Sequence, residues 1–225
     1  ELHTVGADAG YSQADVTEFA RALTGWSIRQ PNLPPRLYTG AIDGSHGFTW
    51  APMIHEPGTR QVMGRSYPQR GEDQARAILS DLAAHPATGR RVARQVATHF
   101  HSDTPPASLI ARLEAAWTRD GGRLDSLALA LIDAPEMWAA EPQKFKRPEE
   151  FVISGYRAIG LAPQRMGQLQ PALVALGQRP WAPPSPEGGP EEAAAWAAPD
   201  AVIKRLTWAQ RFSEAAVRDQ SPVLL

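Results

Sequence analysis

The sequence predicts an all-α protein, an irregular multi-helix bundle with one long Pro/Gly-rich loop that carries a small β-hairpin. Apolar residues recur at helical spacing along most of the chain, and Pro or Gly residues separate these stripes. The alternation of β-branched and polar residues that indicates strands is almost absent. Hydrophobic residues make up 43% of the 225 residues, which is ordinary globular usage, and we expect a single helical domain over residues 1–225.

The first helix is predicted over residues 13–24. Ser12 is a suitable N-cap, and Asp15 three residues later makes a variant of the capping box. The apolar residues that follow recur at i, i+3, i+4 and i+7 in one stripe: Val16, Phe19, Ala20 and Leu23. Gly25 lies where a glycine commonly ends a helix.

Residues 26–70 are predicted to form a long ordered loop, because prolines and glycines interrupt every helical period. The Glu56–Thr59 segment is typical of a type II turn, with Pro and Gly at its central positions. The flanking segments Phe48–Trp50 and Gln61–Met63 are predicted to pair as the small hairpin.

A run of helices is predicted from residue 71 onward, and a Pro-rich loop from Pro180 to Pro190 precedes the last of them. The residues expected to face the core, helix by helix, are Ala75, Ile78, Leu79 and Leu82; Val92, Ala93, Val96 and Phe100; Leu109, Ile110, Leu113, Ala116 and Trp117; Leu124, Leu127, Ala128 and Leu131; Phe151, Val152, Gly155 and Ile159; Met166, Leu169, Leu173 and Leu176; and Val202, Leu206, Ala209 and Phe212.

Composition and motifs exclude several classes of function. The formal net charge of −1 removes the general electrostatic case for nucleic acid, so no nucleic-acid partner is expected. The absence of cysteine excludes disulfides, thiolate metal sites and Cys nucleophiles. No apolar run approaches the ~18 residues of a membrane span. Neither a G-x-S-x-G elbow nor a common Gly-rich phosphate loop occurs.

The long loop contains a candidate divalent-metal site made by Asp43, His46, His55 and Glu56. Imidazole and carboxylate are ligands for zinc and similar metals, and a hairpin turn would bring the two histidines together. The spacing matches no recognised motif, since residue 59 is Thr and H-E-x-x-H is therefore absent. The alternative is a turn in which His55 and Glu56 bind backbone amides.

Two further groups are candidate binding residues. Arg90, Arg91 and Arg94, with Arg76 on the preceding helix, could hold an anion, or they could form a solvated face paired with Glu72, Asp73 or Asp81. The tryptophans that lie in Pro/Gly loops could stack on sugar rings or on a partner, or could simply pack their loops onto the helices: Trp26, Trp50 and Trp181.

Several segments form a recognisable set: Glu1–Gly6, Gly10–Ser12, Ala20–Trp26, His55–Gly58 ending in Gly64, His85–Thr88, Phe145–Glu150 and Gly177–Pro186. Together they resemble the bacterial domain-of-unknown-function 1800 family. The chain departs from the family pattern at Glu56, where Asp is usual, at Arg60, where Lys is usual, and at Gly189, where Trp is usual.

The resemblance implies an exported, envelope location and a protein partner, because members typically look exported and their genes often lie beside a second family that resembles sulfatases and alkaline phosphatases. It also implies that the Glu1–Gly6 segment closes a helix that starts upstream. We therefore expect the C-terminal part of a larger protein, with an exposed apolar patch where the missing N-terminal half or an envelope protein would bind.

The leading expectation is thus a helical module of an exported bacterial protein that interacts or assembles with a partner. One alternative is a metal-dependent hydrolase that uses the 43–56 loop, with a metal ion lowering the pKa of bound water. Another is glycan binding through the loop tryptophans.

Overall fold

The computed structural model describes residues 3–28, 47–138, 144–160 and 166–218, and most of these residues are helical. The helices are α1 (Gln13–Leu23), α2 (Glu72–Ala84), α3 (Pro86–Phe100), α4 (Ala107–Arg119), α5 (Leu124–Ile132), α6 (Pro148–Ala158), α7 (Met166–Ala175), α8 (Ala193–Trp196) and α9 (Pro199–Arg218). The strands are β1 (Trp26–Ile28), β2 (Phe48–Trp50), β3 (Arg60–Val62) and β4 (Arg65–Tyr67). The predicted all-α character is thus confirmed in broad terms.

The chain divides into two compact units. The first comprises Glu1–Val92 and Glu114–Leu124, and the second comprises Ala93–Leu113 and Asp125–Leu225. The expectation of one domain over residues 1–225 stays a prediction. Among the described helices, none combines the length and the apolar character that a membrane crossing requires.

The strands of the first unit form two antiparallel pairs, and the predicted hairpin is wrong in its pairing. β2 pairs with β1, with Trp50 opposite Trp26, and β3 pairs with β4. The physical reason lies in the turn after Val62. Met63 and Gly64 have φ values of 49° and 76°, as a two-residue type I′ turn requires, so β3 closes on the segment that follows it.

The core of the first unit lies between α1, α2 and the β3–β4 hairpin. Its buried members include Ala22 from α1, Val62 and Tyr67 from the hairpin, and Ala75 and Ile78 from α2. The capping box predicted at the start of α1 is present: the Asp15 backbone N–H donates to Ser12 Oγ, and the Asp15 carboxylate accepts from the Ser12 backbone N–H. Local sequence signals therefore position α1 over the hairpin.

The phenol of Tyr67 gives the first unit a pH-dependent contribution to stability. Burial raises the pKa of Tyr67 to about 12, and a 2.8 Å hydrogen bond to the Asp81 carboxylate adds to the shift. Because the folded-state pKa exceeds the ordinary value of about 10, this stability is complete below pH 10 and is lost as the pH rises towards 12.

We expect the free energy of unfolding to fall by about 2 kcal/mol between pH 10 and 12 from this residue alone. The fall should be shallower in Tyr67→Phe, which keeps the ring and removes the titrating hydroxyl. Urea unfolding followed across that pH range checks this. Equal slopes for the two proteins would contradict the assignment.

The second unit packs α6, α7 and α9 around an aromatic cluster. Val152, Leu173 and Leu176 are buried, and the Trp208 ring contacts both Phe151 and Phe212. The close approach depends on Gly155, since a Cβ there would lie 3.0 Å from the Trp208 ring. The predicted stripes of α6 and α7 thus contribute to the core.

The predicted core stripe of α9 is wrong at two positions. Val202 and Leu206 face solvent, while Arg205, Trp208, Phe212 and Ala216 face inward. Arg205 can occupy an inward position because its guanidinium lies over the Phe145 and Phe151 rings, at 4.7 and 5.0 Å from their centroids. Apolar periodicity alone cannot foresee a buried arginine.

Candidate functional site

The structure brings two motifs of the first unit together at one corner, where Thr24 ends α1. The Thr24 hydroxyl donates to the Arg21 carbonyl and accepts the Glu56 backbone N–H at 2.8 Å. Gly25 follows with φ +93°, and the Trp50 ring lies so close to it that a Cβ would be 2.5 Å from ring carbon Cζ3. The Ala20–Trp26 and His55–Gly58 segments are therefore parts of one structural feature.

His55 has its tautomer set by this corner. Its Nδ1 lies 2.9 Å from the Thr24 carbonyl oxygen, which can only accept, so Nδ1 carries the proton and donates. The ring also packs against Trp50, at 4.9 Å between centroids. A neutral imidazole held in this way has its lone pair on Nε2, the form that binds a metal ion or accepts a proton.

The Glu56 carboxylate faces two arginines. Its Oε1 lies 3.4 Å from Arg21 Nε and 3.6 Å from Arg60 Nη1. Arg60 is buried and also donates from Nη2 to the carbonyl oxygens of Glu56 and Pro57. Glu56 and Arg60, two of the residues at which the chain departs from the family pattern, thus contact one another.

The other two metal candidates, Asp43 and His46, lie outside the described residues. Within the described ranges, no three His, Asp or Glu side chains come close enough together to hold one metal ion. Nothing in the described structure tests the four-residue set, and it stays a prediction.

A second polar corner, in the second unit, is centred on Glu191. The carboxylate accepts from Arg147 Nη1 at 2.8 Å and lies 3.0 Å from His99 Nδ1. Lys144 Nζ donates to the Glu191 carbonyl and to Asp103, whose other carboxylate oxygen accepts the Ala193 N–H at 2.6 Å. The segment after the Pro-rich loop is therefore fastened to the start of α6 and to the turn after α3.

Asp103 keeps its charge in this corner. Burial raises its pKa, but the hydrogen bonds from the Ala193 N–H and from Lys144 outweigh that effect, and the net pKa lies below the ordinary value. The Phe145–Glu150 and Gly177–Pro186 segments also meet here, because the Glu149 N–H donates to Gln178 Oε1 at 2.9 Å. The two segments are far apart in the chain, so no local pattern of the sequence indicates their contact.

The three predicted arginines lie on α3. Arg90 and Arg94 are exposed, and the Arg91 side chain packs on Gly6. Arg76 pairs with Glu72, one of the carboxylates that the solvated-face alternative named. These contacts do not test whether Arg90, Arg91 and Arg94 hold an anion, and that expectation stays a prediction.

The three predicted tryptophans differ in their surroundings. Trp26 packs edge-on against Phe48 with Arg76 over its ring, and Trp50 packs on Gly25, so both rings are partly buried. Trp181 is 95% exposed and has a φ of 58°, the left-handed region that few non-glycine residues adopt. Trp181 is thus the tryptophan of this set that is fully available for contact.

The outward face of α9 carries an exposed apolar surface that sequence reasoning assigned in part to the core. Ile203 is 63% exposed and Leu206 is 66% exposed, and Val202 lies beside them at 38%. We call Val202, Ile203 and Leu206 the α9 face. Because the inward side of α9 packs on the aromatic cluster, this helix is apolar on two sides but buried on only one.

Arg205 borders the α9 face and lacks an acidic partner within the described part of the chain. It is 8% exposed, and Nη2 donates to the Lys146 carbonyl at 2.8 Å. Burial lowers the pKa of its guanidinium. The guanidinium is thus a buried positive charge held by two aromatic rings and a carbonyl oxygen, with no carboxylate beside it among the described residues.

The structure is thus that of a mainly helical protein in which polar contacts join the characteristic sequence motifs. A family model described as Protein of unknown function (DUF1800) matches residues 1–224, and the chain belongs to that family. This match confirms the resemblance drawn from the sequence motifs. Neither a curated protein nor a solved structure shows significant similarity to the chain.

Proposed function

We propose that this protein is a helical interaction module, of exported bacterial origin, that binds a protein partner through the α9 face. The observation that carries the proposal is the outward position of Val202, Ile203 and Leu206 on a helix whose opposite side is already packed. Exposed apolar surface of this kind marks interaction sites more often than chance, because burying it on a partner is favourable by about 25 cal/mol per Å².

The proposal is tested by placing a photoreactive amino acid at position 206 of the full chain in the cells that produce it. The matched control is position 204 on the same helix, roughly 160° away around the axis at about 100° per residue. We expect a discrete protein adduct from position 206 and none from 204. Equal adduct patterns at the two positions would sink the proposal.

The α9 face should contribute little to folding. We expect the Ile203→Ser and Leu206→Ser substitutions each to change the free energy of unfolding by less than about 0.5 kcal/mol, because both side chains are mostly solvated. Phe212→Ser, on the inward side of the same helix, is the contrasting variant and should destabilise by about 3 kcal/mol. Thermal unfolding distinguishes them. A large loss from Leu206→Ser would assign that side chain to the core instead.

A second candidate function, a metal-dependent hydrolase, is favoured by the His55 tautomer. The Nδ1–H···O=C bond to Thr24 is the arrangement that orients metal-binding histidines, with Nε2 as the ligand atom. Asp43, His46 and Glu56 are the further ligands that the sequence offers for it.

Elemental analysis of the purified protein tests this candidate directly. We expect a stoichiometric divalent metal in the native protein and its loss in His55→Ala, with His85→Ala as the matched histidine control. His85 accepts the Ala87 N–H at a helix start and is not part of the proposed ligand set. Metal content at background in the native protein would rule the hydrolase out.

A further inference from the structure

We propose that Arg205 and the α9 face together bind a partner segment that carries a carboxylate beside apolar side chains. This inference rests on the proposed function and names the chemistry of the partner. The supporting observation is that Arg205 has no carboxylate partner among the described residues. This observation is separate from the exposed apolar side chains on which the proposed function rests.

The first step is the state of the guanidinium. Arg205 is 92% removed from solvent, and the two phenylalanine rings that flank it, Phe145 and Phe151, provide no formal negative charge. A guanidinium has five N–H donors, and the structure shows one hydrogen bond, from Nη2 to the Lys146 carbonyl. Among the described residues the fork has no carboxylate partner, although its planar geometry suits a two-point contact with one.

The second step is the charge of the surroundings. Lys146, whose carbonyl accepts from Arg205, donates from Nζ to Ser154 and adds a second positive charge to this part of the fold. On α9 itself, the Asp200 carboxylate pairs with Lys204, one turn away. The nearby acidic residues of α6, Glu149 and Glu150, both face Arg147. The described carboxylates around Arg205 are thus engaged with other cations.

The third step joins the two features in space. Arg205 and Val202 are three residues apart on one helix, so their side chains are neighbours on its surface. Leu206 continues the α9 face one turn beyond Val202. A partner segment lying along α9 would therefore meet apolar side chains and then the edge of a guanidinium. A carboxylate fits that edge because it accepts two parallel N–H bonds from the fork.

The experiment extends the cross-link from position 206. Three proteins are compared, each with the photoreactive amino acid at position 206. One is otherwise native, one carries Arg205→Met, and one carries Lys204→Met, which is the same chemical change at a neighbouring cation. We expect Arg205→Met to reduce the yield of the partner adduct about tenfold or more. Lys204→Met should leave the yield unchanged. The cross-linked partner peptide, identified by mass spectrometry, should contain Asp, Glu or a C-terminal carboxylate within a few residues of the attachment point.

A salt titration covers the case in which Arg205→Met does not fold. Raising the salt concentration around the unsubstituted chain should lower the adduct yield, because salt screens a charged contact and strengthens a purely apolar one. Adduct formation that is insensitive both to salt and to Arg205→Met, or an adduct to a second copy of this chain, to lipid or to a peptide without a carboxylate, would overturn the inference. The proposed function fails separately, if position 206 of the native chain gives no protein adduct at all.

Discussion

Gly25→Ala is expected to lower the free energy of unfolding by about 3–4 kcal/mol, one of the largest effects available to a single methyl group in this protein. Two penalties act at the same position. Gly25 has φ +93°, where a side chain is strained, and the added Cβ would lie 2.5 and 2.6 Å from two carbons of the Trp50 ring and 3.1 Å from the Cβ of His55. Neither neighbour can move freely, because Trp50 is in β2 and His55 is bonded to Thr24.

Gly10→Ala separates the two penalties. Gly10 has φ +77° but no atom within 4 Å of the added Cβ, so it should lose only the backbone share, about 1–2 kcal/mol. The steric penalty can also be removed by replacing the Trp50 ring with a smaller side chain. In a Trp50→Leu background, Gly25→Ala should have an effect close to that of Gly10→Ala. Urea unfolding of the four variants measures this coupling, and an undiminished effect in that background would refute the steric explanation.

The helices were the predictable part of this fold, because their signals are local. The first helix was predicted over residues 13–24 and is observed over Gln13–Leu23, and its Ser12–Asp15 capping box is present. The helix with its stripe at Ala75, Ile78 and Leu82 spans Glu72–Ala84, with all three side chains buried. Apolar spacing and caps specify such segments without reference to the rest of the chain.

Strand pairing was not predictable in the same way. Phe48–Trp50 was correctly seen as extended, but its partner, Trp26–Ile28, is separated from it by a long stretch of sequence. The β3–β4 hairpin turns at Met63–Gly64, where a methionine takes a left-handed conformation that Asn or Asp would normally supply. The sequence therefore lacks the usual signal for a two-residue turn at this point, and the predicted strand pairing is wrong.

The candidate binding surface was hidden for a different reason. Helical periodicity indicates two apolar sides on α9 but does not indicate which of them is buried. The side that is buried includes Arg205, and a stripe that contains an arginine is not predicted to face the core. The polar corner at Glu191 was invisible because its members, His99, Asp103, Lys144 and Arg147, come from distant parts of the chain. The motif segments can be recognised in the sequence, but the hydrogen bonds that join them link residues far apart in the chain and leave no local pattern.

The two corners share one physical logic. In each, a side chain from one motif satisfies the backbone of another, Thr24 with Glu56 in the first unit and Gln178 with Glu149 in the second. Such bonds hold loop backbones that have many alternative conformations in the unfolded chain, and each hydrogen bond contributes about 1 kcal/mol to the folded form. The motifs that carry the family resemblance are therefore explained in large part by folding, and the α9 face is not.

Asp15→Ala is expected to destabilise the first unit by about 2–4 kcal/mol, because one carboxylate there makes two separate connections. Its Oδ2 accepts the Ser12 N–H and hydroxyl at 2.7 Å and so completes the cap of α1. Its Oδ1 accepts the Met63 N–H at 2.6 Å and so holds the strained turn of the β3–β4 hairpin against the helix. The hydrogen bonds from Ser12, and then that from Met63, lower the pKa of Asp15.

Ser12→Ala is the matched control, since it removes part of the cap and keeps the bond to Met63, and it should lose only about 1 kcal/mol. The difference between the two variants therefore measures the link between helix and hairpin. Because the folded-state pKa of Asp15 is lowered, its contribution is complete above the ordinary value of 3.8 and disappears as the pH falls through the folded-state pKa. The stability gap between the native protein and Asp15→Ala should accordingly narrow on acidification below about pH 4. If Asp15→Ala were no worse than Ser12→Ala, the cap alone would account for Asp15, and the turn at Met63 would have to be held by its own packing. A stability gap that did not change with pH would contradict a contribution from the charged carboxylate to either contact.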